Sequence, residues 1–345
     1  MLNLLREDFD GIWEEELLWS ELDNKTILVT GASGLIGSFL IYALLDRNIR
    51  YKSNIHILAL ARDKKRLRNK YKQYGWVDIM AQDIANPIKY KNPIDYIVHT
   101  ACDVQPKTAS GNPVGICKTI LEGMLSVCDF ACEKKAKVIN LSSINVFGEA
   151  QHQEPFTDDM PVRIPLNDST FVYHEGKRMS EMICASYSAQ QDMDYSVLRP
   201  GRVYGPTMNT DDSMVLSEFL LNAATGHDLT LKSSGNQRYT YVYVADVISA
   251  IFYLMLLGRR KNYNCGEGTE IERRNLGEIV QLICNENHVC LSRSELNEEE
   301  KAIYSSVKYS VMTSERLMRL GWKKKTDIVC GIEKTSRILR KLYGE

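Results

Sequence analysis

The sequence has almost no net charge: 43 Lys and Arg stand against 44 Asp and Glu, a formal balance of −1. A general nucleic-acid binder would need a basic excess or stripe, so that class is excluded. The sequence also lacks any run of about 18 or more apolar residues, so no membrane-crossing helix is indicated. The first 23 residues lack the features of a signal peptide. Glu14-Glu15-Glu16 stands where an apolar core is needed, and there is no basic leader. Nine cysteines, an odd number, include no Cys-x-x-Cys pair and no Cys/His cluster at zinc-ligand spacing. They read as buried, reduced thiols of a cytoplasmic protein, with no metal expected. No internal repeat or low-complexity segment is evident.

What is present is enough apolar material, 44% of 345 residues, for a sizeable core in one large domain or two. Leu4, Leu5, Phe9, Ile12, Trp13, Leu17 and Leu18 recur at roughly helical spacing. They predict an amphipathic helix that packs on its own protein or on a sister subunit. A membrane-surface role is disfavoured by the mainly acidic charged face. Strand signals follow at Thr26–Val29, Ile55–Leu60, Val77–Ile79, Tyr96–His99, Val138–Leu141 and Tyr195–Leu198. Helical patterns lie between most of them, at 35–46, 63–73, 113–134 and 174–190. Strands alternating with helices predict an α/β fold with a doubly wound parallel sheet of the Rossmann type and right-handed crossovers. After Gly205-Pro206 the texture changes to short elements, at 213–225, 238–257, 275–286 and 313–320. The expected organisation is a helical extension over 1–23, a nucleotide-binding domain over 24–205 and a smaller α/β substrate lobe over 206–345. Part of 238–257 is apolar enough to return to the main core.

The first strand runs directly into Thr30-Gly31-Ala32-Ser33-Gly34-Leu35-Ile36-Gly37, and a helical pattern follows. A glycine turn between strand and helix lets a pyrophosphate approach the backbone, where the helix N-terminus offers free N–H groups and the positive end of its dipole. The spacing is G-x-x-G-x-x-G rather than G-x-G-x-x-G. A second segment, Tyr173-His174-Glu175-Gly176-Lys177, puts a phenol and an ammonium on one helix face. An ammonium so placed favours phenolate, and a phenolate can take a proton from a sugar hydroxyl as hydride leaves the same carbon. A third, Leu141-Ser142-Ser143-Ile144-Asn145-Val146-Phe147-Gly148, follows the Val138–Leu141 strand. Ligands of parallel sheets sit beyond the carboxyl ends of strands, where a serine can donate to a substrate oxygen and to the phenol.

Together with His99-Thr100-Ala101, Leu198–Pro206, Tyr243-Val244-Ala245-Asp246 and Arg319-Leu320-Gly321-Trp322, these segments resemble the extended short-chain dehydrogenase/reductase family, in its nucleotide-sugar epimerase and dehydratase branch. The resemblance runs from Lys25 to about Ile338. It implies an enzyme that binds NAD or NADP in the large lobe and a nucleoside-diphosphate sugar under the small one. Ser143 would polarise the reacting oxygen, Tyr173 would be the acid/base, and Lys177 would hold the nicotinamide ribose and tune Tyr173. Gly31, Ser33, Gly34, Leu35, Ile36 and Gly37 would line the pyrophosphate, while Asp83 and Ile84 would sit by the adenine. Thr100 and Ala101 would complete the cofactor site, and Asn145, Arg202 and Arg238 would face the substrate. A homodimer through the helices 113–134 and 174–190 is implied as well.

Several positions depart from that family's pattern. Arg62, at the tip of the second strand, stands near where NAD-preferring members put an acid, which tilts the reading toward NADP; Asp63 is the acid if the strand ends one residue later. The 4,6-dehydratases carry Asp-Glu after the catalytic hydroxyl and the uronate decarboxylases a glutamate, whereas this chain has Ile144 and Asn145, leaving Glu149 or Asp103 as substitutes. Arg202 replaces an asparagine, and a cation there can pair with a phosphate or a sugar carboxylate. Ile120 stands where relatives have an asparagine three before a glycine, and Arg238 precedes by one the usual place of a diphosphate-binding arginine. The leading expectation is an NAD(P)-dependent nucleotide-sugar 4-epimerase. The alternatives are a 4-keto-sugar reductase or dehydrogenase, a dehydratase or decarboxylase with relocated acids, and a non-catalytic nucleotide-binding protein.

Overall fold

A computed structural model describes residues 1–102, 112–148, 150, 153–165, 167–212, 214–267, 274–294 and 308–344. Asp103 and Glu149 lie outside the described residues. Seven parallel strands form the central sheet: β1 (Thr26–Thr30), β2 (His56–Ala61), β3 (Val77–Ala81), β4 (Tyr96–His99), β5 (Lys137–Leu141), β6 (Tyr195–Pro200) and β11 (Asn262–Cys265). Their order is β3-β2-β1-β4-β5-β6-β11. It reverses direction between β1 and β4, so a crevice opens there at the carboxyl ends of the strands. The central strands are apolar along almost their whole length because both faces are covered. The four predicted helices of this half are α2 (Leu35–Tyr51), α3 (Lys64–Tyr71), α4 (Pro113–Lys134) and α5 (Val172–Gln191).

Local chemistry sets the helix ends. Asn112 accepts from Gly115 N at the start of α4 and Pro113 occupies the first turn, where its missing N–H costs nothing. Lys52, Lys135 and Asp192 end α2, α4 and α5 in the left-handed conformation. Glycine makes one close crossing possible: a Cβ on Gly176 of α5 would lie 2.8 Å from Ile120 of α4.

Beyond β6 the short strands β7 (Arg202–Tyr204), β8 (Leu229–Leu231), β9 (Arg238–Tyr239), β10 (Tyr241–Tyr243), β12 (Leu291–Arg293) and β13 (Tyr309–Ser310) alternate with α6 (Val215–Ala224), α7 (Val244–Leu256), α8 (Leu276–Asn287), α9 (Glu315–Met318) and α10 (Ile328–Tyr343). The predicted stretch 238–257 resolves into β9, β10 and α7, and α7 is buried in the main hydrophobic cluster with α2. The short strands β7, β8, β12 and β13 escape the sequence reading, as do β11 and α10. The strand β11, Asn-Tyr-Asn-Cys, has too much polar character for a buried-strand signal. Its Asn264 is nevertheless fully buried, with N donating to Asp158 Oδ1 at 2.8 Å and Nδ2 to the Phe156 carbonyl at 3.3 Å. Helix α10 buries Ile328, Ile332, Thr335, Ile338 and Leu339 on one face.

The N-terminal segment folds as two short 3₁₀ turns around α1 (Arg6–Trp13) and packs on its own chain. Phe9 meets Phe39 of α2 edge-on, and Trp13 packs at a tilt on Phe252 of α7. Arg47 lies over Trp13, Trp19 and Tyr51 at 5.5, 5.3 and 5.2 Å. Asp8, buried, accepts from Tyr243 Oη at 2.7 Å and from Lys334 Nζ of α10 at 3.1 Å. Removing one partner of a buried, hydrogen-bonded pair leaves the other uncompensated. Asp8→Ala is expected to destabilise the protein by about 3 kcal/mol in urea titrations. An unchanged midpoint would contradict this role for Asp8.

Candidate active site

The glycine turn between β1 and α2 forms one wall of the crevice. Gly31 is left-handed, with φ +66°, and a Cβ there would sit 2.6 Å from Thr100 Oγ1 and 2.9 Å from Ala101 N. A Cβ on Gly37 would strike the Gly31 carbonyl oxygen, so the turn and first helical residues are close-packed. Gly34 caps α2 without a side-chain acceptor, and Leu35 and Ile36 open its first turn with Ser33 just before, all part-buried. An uncapped helix start of this kind suits a phosphate group, whose oxygens would take the free N–H groups.

Across the switch point, Thr100 Oγ1 donates to the Thr30 carbonyl at 2.7 Å and Ala101 N to Thr30 Oγ1 at 3.2 Å. Thr30 Oγ1 also shares a 2.8 Å hydrogen bond with His99 Nδ1. Asp83 follows β3 and accepts from Ala85 N at 3.0 Å, while Ile84 packs over Gly123 of α4. Arg62 is exposed at the tip of β2. Asp63 lies beyond the end of that strand, and its carboxylate accepts from Arg66 N at 2.9 Å as the cap of α3.

The three groups singled out for chemistry come together. Ser143 lies just beyond β5 and opens a 3₁₀ turn, Ile144–Phe147, whose Asn145 N donates to Ser143 Oγ at 3.2 Å. Burial holds the Tyr173 phenol well above its ordinary value, and the nearby Ser143 side chain draws it down in part. Lys177 Nζ lies 6.0 Å from the Tyr173 ring centre. Its ammonium is buried and donates to the Leu141 carbonyl at 2.6 Å, across from α5 to the end of β5. The lowering of the phenol expected from Lys177 is therefore not found: the groups that shift Tyr173 do not include Lys177, and burial raises it.

Beneath this row lies a buried carboxylate. Glu181, one turn beyond Lys177, accepts from Ser142 Oγ at 2.6 Å, Arg199 Nε at 2.8 Å, Arg199 Nη2 at 2.6 Å and Asn262 Nδ2 at 2.8 Å. Sequence reasoning passed over it, because its partners come from three different strands or their ends. It also passed over His99 as a chemical group, although the His99-Thr100-Ala101 segment was itself a signal. Burial, then the nearby Lys177 charge, push the His99 imidazole down to about 3.

Arg202 sits on β7 with its guanidinium 3.8 Å from the Tyr239 ring centre. Arg238 precedes Tyr239 on β9 and is exposed. Successive strand residues face opposite sides, so Arg238 is not brought to Arg202. Among the described residues no group of His, Cys, Asp and Glu could hold a metal ion, and no helix is long and apolar enough to cross a membrane.

His99 ties a pH dependence to the fold. Its folded pKa lies below that of the unfolded chain, so the unfolded state binds more protons below about pH 6.5 and stability falls as pH drops. Between pH 7 and pH 5 this group alone should remove about 2 kcal/mol. The loss should shrink in His99→Gln, measured by denaturation at both pH values. An equal loss in the variant would exclude His99 as its source.

Comparison with known proteins agrees with this architecture. Residues 27–266 match the model of the NAD dependent epimerase/dehydratase family. UDP-glucuronic acid decarboxylase 6 of Arabidopsis thaliana is 29% identical over 263 residues, 75% of this chain and 74% of that protein. Among solved structures, the epimerase Mth375 of Methanothermobacter thermautotrophicus superposes with a TM-score of 0.79 at 19% identity, covering 98% of this chain and 96% of that one. The UDP-glucuronic acid 4-epimerase of Bacillus cereus, solved with UDP-glucuronic acid and NAD, gives 0.76 at 19% identity, covering 92% and 100%. With its parallel sheet, its glycine turn and a family match over most of its length, the chain belongs to the NAD-dependent epimerase/dehydratase family of enzymes.

Proposed function

We propose that this enzyme epimerises a nucleoside-diphosphate sugar at C4 by transient oxidation. The observation that carries the reading is the convergence of Ser143, Tyr173 and Lys177 beyond the end of β5. Gly31, Gly34 and Gly37, with the N–H groups of Leu35 and Ile36, would hold the pyrophosphate of NAD. Asp83 and Ile84 would border the adenine, and Thr100 and Ala101 would line the floor. Bound NAD would supply a reversible hydride acceptor. Ser143 would donate to the C4 oxygen and hold it against Tyr173. Tyr173 would take the hydroxyl proton as the C4 carbonyl forms, and return it after the sugar has turned its other face. Lys177, anchored on Leu141, would keep the ribose and phenol aligned. Asn145 and Arg202 would contact the substrate, with the chain beyond residue 205 covering it. Exposed Arg62, with Asp63 engaged as a helix cap, favours acceptance of NADP beside NAD.

Decarboxylation is the second reading, favoured by relatives named as UDP-glucuronic acid decarboxylases. It shares the oxidation step, after which a C5 carboxylate lies β to the new carbonyl. The absence of a carboxylate at Ile144 and Asn145 supports epimerisation over elimination of water.

Tyr173→Phe is expected to lower turnover at least about 1,000-fold while NAD affinity stays within about threefold. Product analysis by NMR of UDP-glucose and UDP-glucuronate incubations, and NAD titration, check this. Near-normal turnover in the variant would remove the phenol from the mechanism, and release of carbon dioxide would select the second reading.

Leu125 on α4 and Met179 and Met182 on α5 are exposed apolar side chains on neighbouring helices. They support a homodimer through this helix pair, in the cytoplasm with other soluble sugar-nucleotide chemistry. Light scattering should give the mass of two chains, falling to one in Met179→Glu/Met182→Glu. A monomeric unmodified protein would exclude the dimer.

A further inference from the structure

Two polar side-chain atoms that act on one another's surroundings are buried with no hydrogen-bond partner: Arg202 Nε and His174 Nδ1. Arg202 is held in place by its backbone, which donates to the Thr240 carbonyl at 2.8 Å, and by the pairing of β7 with β10. Its guanidinium stacks on Tyr239 at 3.8 Å from the ring centre. The neighbouring His174 ring lies 6.2 Å from that of Tyr173. A guanidinium with a desolvated, unfilled donor is unfavourable unless an anion completes it.

We propose that Arg202, with His174 beside it, holds the C5 carboxylate of a nucleoside-diphosphate hexuronate and so makes the enzyme select uronates over neutral hexoses. This inference rests on the C4-oxidation reading above. If the C4 hydroxyl meets Tyr173, the C5 carboxylate is two bonds from C4, whereas the diphosphate leaves from C1 across the ring. The substrate anion nearest the phenol is therefore the carboxylate. The Arg202 charge acts on the His174 imidazole, whose ring lies beside that of Tyr173. Nε and one Nη of a guanidinium present two parallel N–H groups that match both oxygens of a carboxylate. The Tyr239 ring fixes the plane of that fork while leaving its edge available. Burial, reinforced by the Arg202 charge, pushes the His174 imidazole down to about 4, so at neutral pH it adds a hydrogen-bonding group without a second positive charge.

The test compares UDP-glucuronate and UDP-glucose binding to the NAD-loaded enzyme by calorimetry. The unmodified protein should bind the uronate about 10–100-fold more tightly, the range of charge-assisted hydrogen bonds. Arg202→Met should bring the two affinities within about threefold of each other. Arg202→Gln, which keeps N–H donors without the charge, should lose most of the ratio too and serves if the Met variant does not fold. Equal binding of both sugars by the unmodified protein, or a loss shared equally by both sugars in either variant, would overturn the inference. Failure of the unmodified enzyme to bind either sugar nucleotide would overturn the nucleotide-sugar reading itself, and this inference with it.

Discussion

The seating of helix α5 on the sheet governs everything the site can do. Tyr173 and Lys177 are one turn apart on that helix, so their position relative to Ser143 is set by how α5 meets the end of β5. Two buried ionic groups fix the meeting. Lys177 reaches the Leu141 carbonyl, and Glu181 gathers donors from Ser142, Arg199 and Asn262. A buried carboxylate so fully satisfied resists small slides of the helix, because any slide would leave charged groups unpaired in a low-dielectric interior. The phenol and the serine hydroxyl inherit that rigidity.

Much of this was legible in the chain because it depends on local pattern. The glycine turn, the Tyr173–Lys177 spacing and the serine after an apolar strand are short-range signals, and a parallel sheet gathers such turns at one edge. The features that were not legible depend on partners far apart in sequence. The pairing of Glu181 with Arg199 and Asn262, the stacking of Arg202 on Tyr239, and the burial that silences His99 each require the fold before they can be seen. The strand β11 escaped for a related reason. Its asparagines look unsuited to a core until Asp158 and the Phe156 carbonyl are found waiting for Asn264. Asp63, weighed as the ribose acid, also obeys a local rule: an aspartate three residues before a free amide caps the helix.

Three of the departures from the family pattern bear on the substrate. The hydroxyl, phenol and ammonium proposed to serve oxidation at C4, Ser143, Tyr173 and Lys177, are all present. The altered positions, Ile144, Asn145 and Arg202, bear instead on the steps after oxidation or on the substrate that enters. A shared oxidation step with divergent outcomes suits a single fold whose substrate half varies. The N-terminal segment, tied by Asp8 to Tyr243 and Lys334, joins α1 to the long C-terminal helix.

In the proposed reaction, hydride leaves C4 and returns to it within one closed crevice. Conversion of a nucleoside-diphosphate sugar deuterated at C4, with trace NAD and followed by NMR and mass spectrometry, tests this step without intermediaries. Turnover should slow, and the product should retain its deuterium at C4. An unchanged rate, or deuterium washed out into solvent, would contradict the hydride's return.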